Sequence, residues 1–466
     1  MKKICALLFL PLCLHCGAFA EENDAPDSGA DLIVSPSFSN YLLAGAGVIA
    51  SNATLFLFNH FIMRAEYADI SAETIRANFQ SAWVWDQDTF RVNQLGHPYQ
   101  GSFYFAAARS NGIPFEAALL YNVLGSVSWE YICENETPSI NDLIVTTMGG
   151  AAVGEMLHRL YLEARDAAFP LSFILSPMDA LMGLITGKRP AQSDGDGVES
   201  FSTVVGMGPL WSSASFSDSR SRRSGFYPVN FYGGISVVYG NPYRAPHWKP
   251  YASFELGIMG GGTKGFYDVA VFSEGLLSRF GTVYGNYSTM MFGAAMDFDV
   301  RMSNLFSYAD YGLGVVCKQQ AEFPRRISMD WSAGASWMFL GAGDFYELYQ
   351  GIITHPDDGV ERRLYDFSTG VMAKCRFKIS QPAVGTFGAS FLCAAAFTIG
   401  AAVPPKGSSG SQFIGMLSAS YEHDILKNYS LGVAADWYFK KGFYDDAADV
   451  FQNVPQVSLF GRYCIK

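Results

Sequence analysis

Two-residue alternation sustained over nine or more residues is the feature that most restricts how this chain can fold. From Phe292 to Met302, the residues Phe292, Ala294, Met296, Phe298, Val300 and Met302 share one face, while Asp297, Asp299 and Arg301 share the other. From Ile327 to Phe339 one face is Ile327, Met329, Trp331, Ala333, Ala335, Trp337 and Phe339, and the other is mostly Ser, Asp and Gly. From Val371 to Ile379, an apolar face of Val371, Ala373, Cys375, Phe377 and Ile379 opposes Lys374, Arg376 and Lys378. The segments Tyr429 to Phe439 and Val457 to Ile465 repeat the pattern. Successive side chains of a strand point to opposite faces, so each run is a strand with one apolar and one polar side.

A soluble sandwich alternates too, with its apolar face inward. Two features favour a membrane barrel with the apolar face outward. Soluble strands average about 5–6 residues, whereas barrel strands cross a bilayer with segments of ~10 alternating residues. Aromatic pairs also stand near strand ends, Trp337 with Phe339 and Trp437 with Phe439, as interfacial girdles require. About twelve such segments fit between Phe201 and Lys466, an even number as single-chain barrels have.

Composition agrees. Charged residues make up 16% of the 466 residues and aromatic residues 15%, with 47 glycines. Soluble domains carry about 25% charged residues. The net charge of −11 argues against nucleic-acid binding, which needs basic patches.

The N-terminus reads as an export signal. Lys2 and Lys3 precede a short apolar run from Ile4 to Leu14, and Ala18-Phe19-Ala20 has the small-x-small form of a cleavage site. Residues 1–20 are therefore the expected signal peptide. Of the three cysteines within it, Cys13 follows Leu12 and Cys16 follows His15, not the small residue that lipoprotein processing needs. Cys133, Cys317, Cys375, Cys393 and Cys464 remain. Five distant cysteines form neither a disulfide framework nor a zinc pattern.

Residues 21–39 form a polar leader, and from about Asn40 the apolar spacing turns helical. Tyr41 to Met63 is long and apolar, yet holds Ser51, Asn52, Thr54, Asn59 and His60. It reads as a helix buried in a domain or lying against a membrane as readily as one that spans it. Further helices are expected from Ser71 towards Trp83, from Ser102 to Asn111 after Pro98, from Phe115 to Glu134, from Ser139 to about Ala168, and from Met178 to Ile185. Pro170 is expected to end the long helix. The helical domain thus spans 40–188, a polar linker 189–199, and the barrel 200–466. The expected fold class is α+β, an N-terminal helical domain followed by an antiparallel transmembrane β-barrel of about twelve strands.

The helical domain holds the candidate chemistry: His97, Arg109, Glu130, Asp142, Glu155 and Arg159. Each has a bland explanation. Ser139-x-x-Asp142 is a capping-box variant. Glu155 and Arg159 are an ordinary i,i+4 pair. The small residues Gly149, Gly150, Ala151, Ala152 and Gly154 let another element approach. The sharper reading gathers the six into buried polar clusters. At ~1.5 Å rise per residue, Glu155 stands on the order of 20 Å from Asp142. Two sub-clusters are therefore expected: Glu130 with Asp142 near the turn at Glu134–Pro138, and Glu155 with Arg159 and Arg109 further along. His97 is free to join either. General acid–base work by Glu130 and His97 is the minority expectation. No cofactor and no metal are expected, and no Gly-x-Ser-x-Gly, His-Glu-x-x-His or phosphate-loop motif occurs.

Three stretches in order, Asn93-Gln94-Leu95-Gly96-His97-Pro98-Tyr99-Gln100-Gly101-Ser102, Gly125 to Glu134, and Pro138 to Arg159 with its glycine run, resemble an uncharacterised bacterial outer-membrane family, domain of unknown function 3943. The resemblance covers roughly Trp83 to Lys188. It implies an outer-membrane setting and no established activity. The final segment, Val457 to Lys466, resembles the C-terminal assembly signal of outer-membrane barrels but ends in Ile465-Lys466 rather than an aromatic residue.

The leading expectation is an outer-membrane protein of structural or transport type, not an enzyme, whose periplasmic helical domain plugs, braces or docks beneath the barrel. Its expected partners are outer-membrane lipid, the insertion machinery and an unknown periplasmic protein. The alternative is a membrane-associated enzyme acting on lipid or envelope substrates. A third is a surface binder using loops such as 355–363.

Overall fold

The computed structural model describes residues 36–165, 169–187, 197–245, 249–358 and 360–465. The expected signal peptide, most of the expected leader and most of the expected linker lie outside these.

Among the described residues, eight α-helices form the N-terminal region: α1 Phe38–Leu57, α2 Ala72–Gln80, α3 His97–Arg109, α4 Phe115–Ser128, α5 Ile140–Ile144, α6 Gly150–Ala164, α7 Phe169–Leu175 and α8 Pro177–Thr186. Local signals set their ends. Ser71 and Thr74 exchange side-chain and backbone hydrogen bonds at the start of α2, 3.2 Å and 2.9 Å. Ser139 Oγ accepts the Asp142 N–H at 3.2 Å to open α5. Gly187, at φ +62°, ends α8 in the left-handed conformation that glycine adopts without cost. Two expectations shift. The third helix starts at His97, because the wide turn Val92–Gly96 runs straight into it. Pro170 does not only follow a helix; it lies in the first turn of α7, where its missing N–H is harmless.

Wide π-type turns follow α1 (Phe58–Met63), follow α4 (Trp129–Cys133) and join α5 to α6 (Val145–Gly149). Such turns free backbone carbonyls from the helical ladder. Asn122 Nδ2 donates to one of them, Thr147 O, at 3.0 Å. Here α3 and α6 meet backbone to backbone: a Cβ on Gly150 would lie 2.6 Å from Gly101 Cα.

Twelve strands follow: β1 Val198–Phe216, β2 Arg223–Tyr239, β3 Phe254–Thr263, β4 Phe266–Tyr284, β5 Ser288–Ser303, β6 Ser307–Phe323, β7 Ile327–Asp344, β8 Tyr365–Gln381, β9 Gly385–Thr398, β10 Gly410–Leu426, β11 Tyr429–Tyr444 and β12 Val450–Ile465. Each pairs antiparallel with its neighbours and β12 pairs with β1, so the sheet closes into a barrel. The first strand begins at Val198, inside the stretch expected to be linker.

Register fixes what faces where. Phe298 stands opposite Tyr311, and Asp299 opposite Asp310. Asp297, Asp299 and Asp310 point into the lumen with Lys374 of β8, whose Nζ is 2.7 Å from Asp297 Oδ1 and also pairs with Asp299. Lys318 pairs with Glu255 at 2.6 Å and Glu274 at 2.7 Å. Arg376 reaches Glu255, and Lys440 reaches Asp344. Beyond these ion pairs lies an apolar layer that includes Leu210, Phe266, Phe306, Tyr308, Met372, Met416, Tyr438 and Val454. Asp299 and Asp310 are 0% exposed, so the lumen at this level is packed with the barrel's own side chains. At the mouth away from the termini, the short helix Tyr346–Tyr349 in the β7–β8 connection packs Phe345, Tyr346 and Leu348 onto Ala214, Tyr444 and Val450.

The outward face is divided. Phe292, Val315, Trp337, Val371, Val433 and Leu459 are exposed, as lipid-facing residues must be. Met296, Phe298, Val300, Ala309, Tyr311, Ala342 and Phe367 also point outward but are at most 2% exposed. They join one apolar cluster with Phe90, Phe105, Phe115, Val145 and Met156 of the helical region. The helices therefore pack against the outside of the wall. They neither fill the lumen nor sit beneath the barrel. Met296, expected to meet lipid, is covered here.

Candidate functional site

The helical region grips the wall along its height. Near the barrel's terminal end, Phe115 stacks on Tyr251 with ring centroids 5.8 Å apart. Arg159 donates to Pro250 O at 3.0 Å. Midway, Gly149 lies against both Pro98 and the Tyr311 ring. At the far end, Asn93 donates to the Tyr365 hydroxyl at 2.8 Å, and Trp85 packs on Phe367 with centroids 5.2 Å apart.

The six candidate residues fall into two groups. In the first, Glu155 sits between two guanidinium groups. Arg109 Nε donates to it at 2.7 Å and Arg159 Nε at 2.8 Å. Arg109 also donates to Ile113 O at 2.7 Å. A carboxylate that is 0% exposed is tolerable only with such paired donors. Next to it, His158 and Ser176 both contact Asp179, at 2.7 Å and 2.6 Å. Since Asp179 lies between them, this trio does not place the imidazole on the hydroxyl.

The second group is acidic. The Ser139 N–H donates to Glu130 Oε2 at 2.7 Å, so this carboxylate caps α5 from the preceding helix. His97 Nε2 is 3.3 Å from Asp142 Oδ1, while His97 Nδ1 is 3.3 Å from Thr146 Oγ1. Sequence reasoning missed the rest: Asp86, Asp88, Asn93, Glu134, Glu136 and Asn141. Asn93 Nδ2 donates to Asp86 at 3.0 Å, and Asn141 bridges Asn93 and Asp142 at 3.2 Å and 2.9 Å. Trp129 Nε1 donates to Glu134 at 2.9 Å. The available signal was Asp86-Gln87-Asp88, two acids beside Trp85 in a loop with few basic residues.

The loops of this group carry strained protonation. Burial, then Asp86, Glu136 and Glu361, pushes the Asp88 carboxyl up to about 8. Burial, then Glu130 and Glu136, holds Glu134 well above the ordinary carboxylate range. Burial, then Asp86 and Glu361, raises Glu136. Glu361 and Arg363 belong to the loop 355–363, the candidate of the surface-binder reading. Glu361 instead accepts the Thr89 N–H at 3.2 Å, and the Arg363 N–H reaches Gln87 Oε1 at 3.4 Å. Among the described residues, no three His, Cys, Asp or Glu side chains are arranged to hold a metal.

This architecture, a closed twelve-strand barrel with an apolar outer face and a packed lumen, is of the outer-membrane type, joined on its wall to a helical region. The profile of domain of unknown function DUF3943 matches residues 82–176, which lie wholly within that helical region. No curated protein matches the chain. Among solved structures it is similar to the transport unit of the autotransporter AIDA-I from Escherichia coli, at 12% identity over 59% of this chain and 93% of that one, with a TM-score of 0.27. It is also similar to a mutant of the TodX monoaromatic hydrocarbon channel, at 10% identity, 61% and 93% coverage, and a TM-score of 0.24. A Pseudomonas aeruginosa FadL homologue matches at 8% identity, 57% and 90% coverage, and a TM-score of 0.20. Likeness at this level says nothing about substrate.

Proposed function

We propose that the protein is an outer-membrane barrel of structural type, whose helical region braces the wall and whose lumen is closed at rest. The observation that carries this reading is the lumen. Lys374, Asp297, Asp299 and Asp310 are buried at mid-height, Phe306 stacks on Tyr438 with centroids 3.5 Å apart, and Tyr346 and Leu348 pack into the mouth. A general pore keeps a polar, water-filled interior. The two polar groups of the helical region support bracing as well. Glu155 ties α3 to α6, and Glu130 caps α5.

The even strand count brings both barrel termini to one end, with the turns 285–287, 324–326, 382–384 and 427–428 and the longer connection 240–253, while the opposite end carries the connections 345–364 and 399–409. Short turns are typical of the periplasmic side. This supports the periplasm as the side from which the helical region joins the barrel, and where a partner protein would meet it. The closing strand β12 carries the pattern that the insertion machinery would read.

Purified protein in planar bilayers tests the reading. It should show no steady conductance, and Phe306→Ala with Tyr438→Ala should raise conductance by opening the apolar layer. A large steady conductance in the unaltered protein would make it a transport channel instead.

A further inference from the structure

We infer that the outer surface of the helical region is itself a lipid-facing surface, so that helices and strands form one mixed membrane body. The inference rests on the outer-membrane reading of the barrel. The wall residues covered by helices, such as Phe298, Val300 and Tyr311, lie on the same strands and face as exposed Phe292 and Val315. The helices reach from Pro250 at the terminal end to Tyr365 at the far end. A bundle clamped to the wall over that height takes the place of lipid, and its own outer side meets the lipid displaced.

That side has the right chemistry. The continuous helix from Phe38 to Met63 is 26 residues long, about 39 Å at the usual rise, against a hydrocarbon core of ~30 Å. It contains no Asp, Glu, Lys or Arg, and Arg64, Glu66 and Asp69 follow it at once. Ile49, Phe61, Leu120, Leu124, Ile174 and Ile185 are exposed on the bundle. The asparagines of the long helix turn inward, while Thr54 stays on the exposed side. Asn52 donates to Gly125 O at 3.1 Å and Ser128 Oγ at 2.9 Å, and Asn40 donates to Asn111 O at 3.0 Å. Hydrocarbon demands that backbone and polar groups be satisfied internally in this way. The occupant of the face is acyl chain, continuous with the belt around the rest of the barrel. The body of the helical region then lies in the membrane plane, and only its terminal end reaches the periplasm.

The test uses full-length protein in vesicles, with single cysteines bearing a fluorophore at Ile49, Leu124 or Ile185 and, as wall positions, at Val371 or Leu459. The native cysteines are replaced by alanine or serine. The inference expects nitroxide-labelled lipid to quench helix and wall positions to the same extent and iodide to quench neither. Wall positions quenched by lipid with helix positions quenched by iodide would overturn it and leave the barrel reading intact. Helix positions reached by neither quencher would mean a protein covers them, which also overturns it. Wall positions untouched by labelled lipid would bring down the barrel reading and the inference together.

Discussion

Gly149 of the helical region lies on the ring of Tyr311 in strand β6, so closely that a Cβ on the glycine would stand 2.8 Å from the ring. The same Cβ would lie 2.8 Å from Pro98 Cγ. The contact joins the turn between α5 and α6 to the outer wall of the barrel. It leaves no room for any side chain larger than hydrogen.

Gly149→Leu should therefore push the helices off the wall. Overpacking of this kind costs ~1–3 kcal/mol. The expected result is a helical region cleaved faster by protease, with the heat-modifiable migration of the barrel retained. Equal protease resistance in the variant would show that the contact is not tight.

The Arg109–Glu155–Arg159 group should behave as a structural knot. Glu155→Gln leaves two buried guanidinium groups without their carboxylate, a loss of ~3–5 kcal/mol for a broken buried pair. Denaturant unfolding followed by helical signal would measure it. Normal stability with a lost activity would instead make the group catalytic.

The acidic loops predict an inverted pH dependence. Asp88, Glu134 and Glu136 have carboxyls raised above their unfolded values. Between the unfolded value near 4 and about 8 for Asp88, the folded state binds more protons than the unfolded state. Stability then falls as pH rises through this window. The helical region should melt higher at pH 5 than at pH 8, and Asp88→Asn should flatten the difference. A melting point that rises with pH would refute the assignment.

Much of this was legible in the sequence, and what was not has physical reasons. Alternation at Phe292–Met302 gave the strand and its two faces, because a period of two has one structural meaning. It did not give Met296 its cover, since a face buried by helices and a face buried by lipid demand the same residues. The glycine run at Gly149–Gly154 signalled a close approach. Its partners, Gly101 and the Tyr311 ring, are contributed by distant segments. Glu155 and Arg159 were visible as an i,i+4 pair, while His158 with Asp179 was not, because their 21-residue separation has no helical meaning. The polar loop 355–363 read as a surface loop, and its contacts with Thr89 and Gln87 through Glu361 and Arg363 come from a segment 272 and 276 residues away, which no local pattern signals.

The central claim is that the helical region packs on the outside of the barrel wall. Replacing Tyr311 by a photoreactive phenylalanine in cells tests it most directly. After irradiation, the account predicts an intramolecular cross-link to the peptides carrying Pro98 or Gly149. A cross-link to lipid, or to a lumen residue such as Lys374, would contradict it.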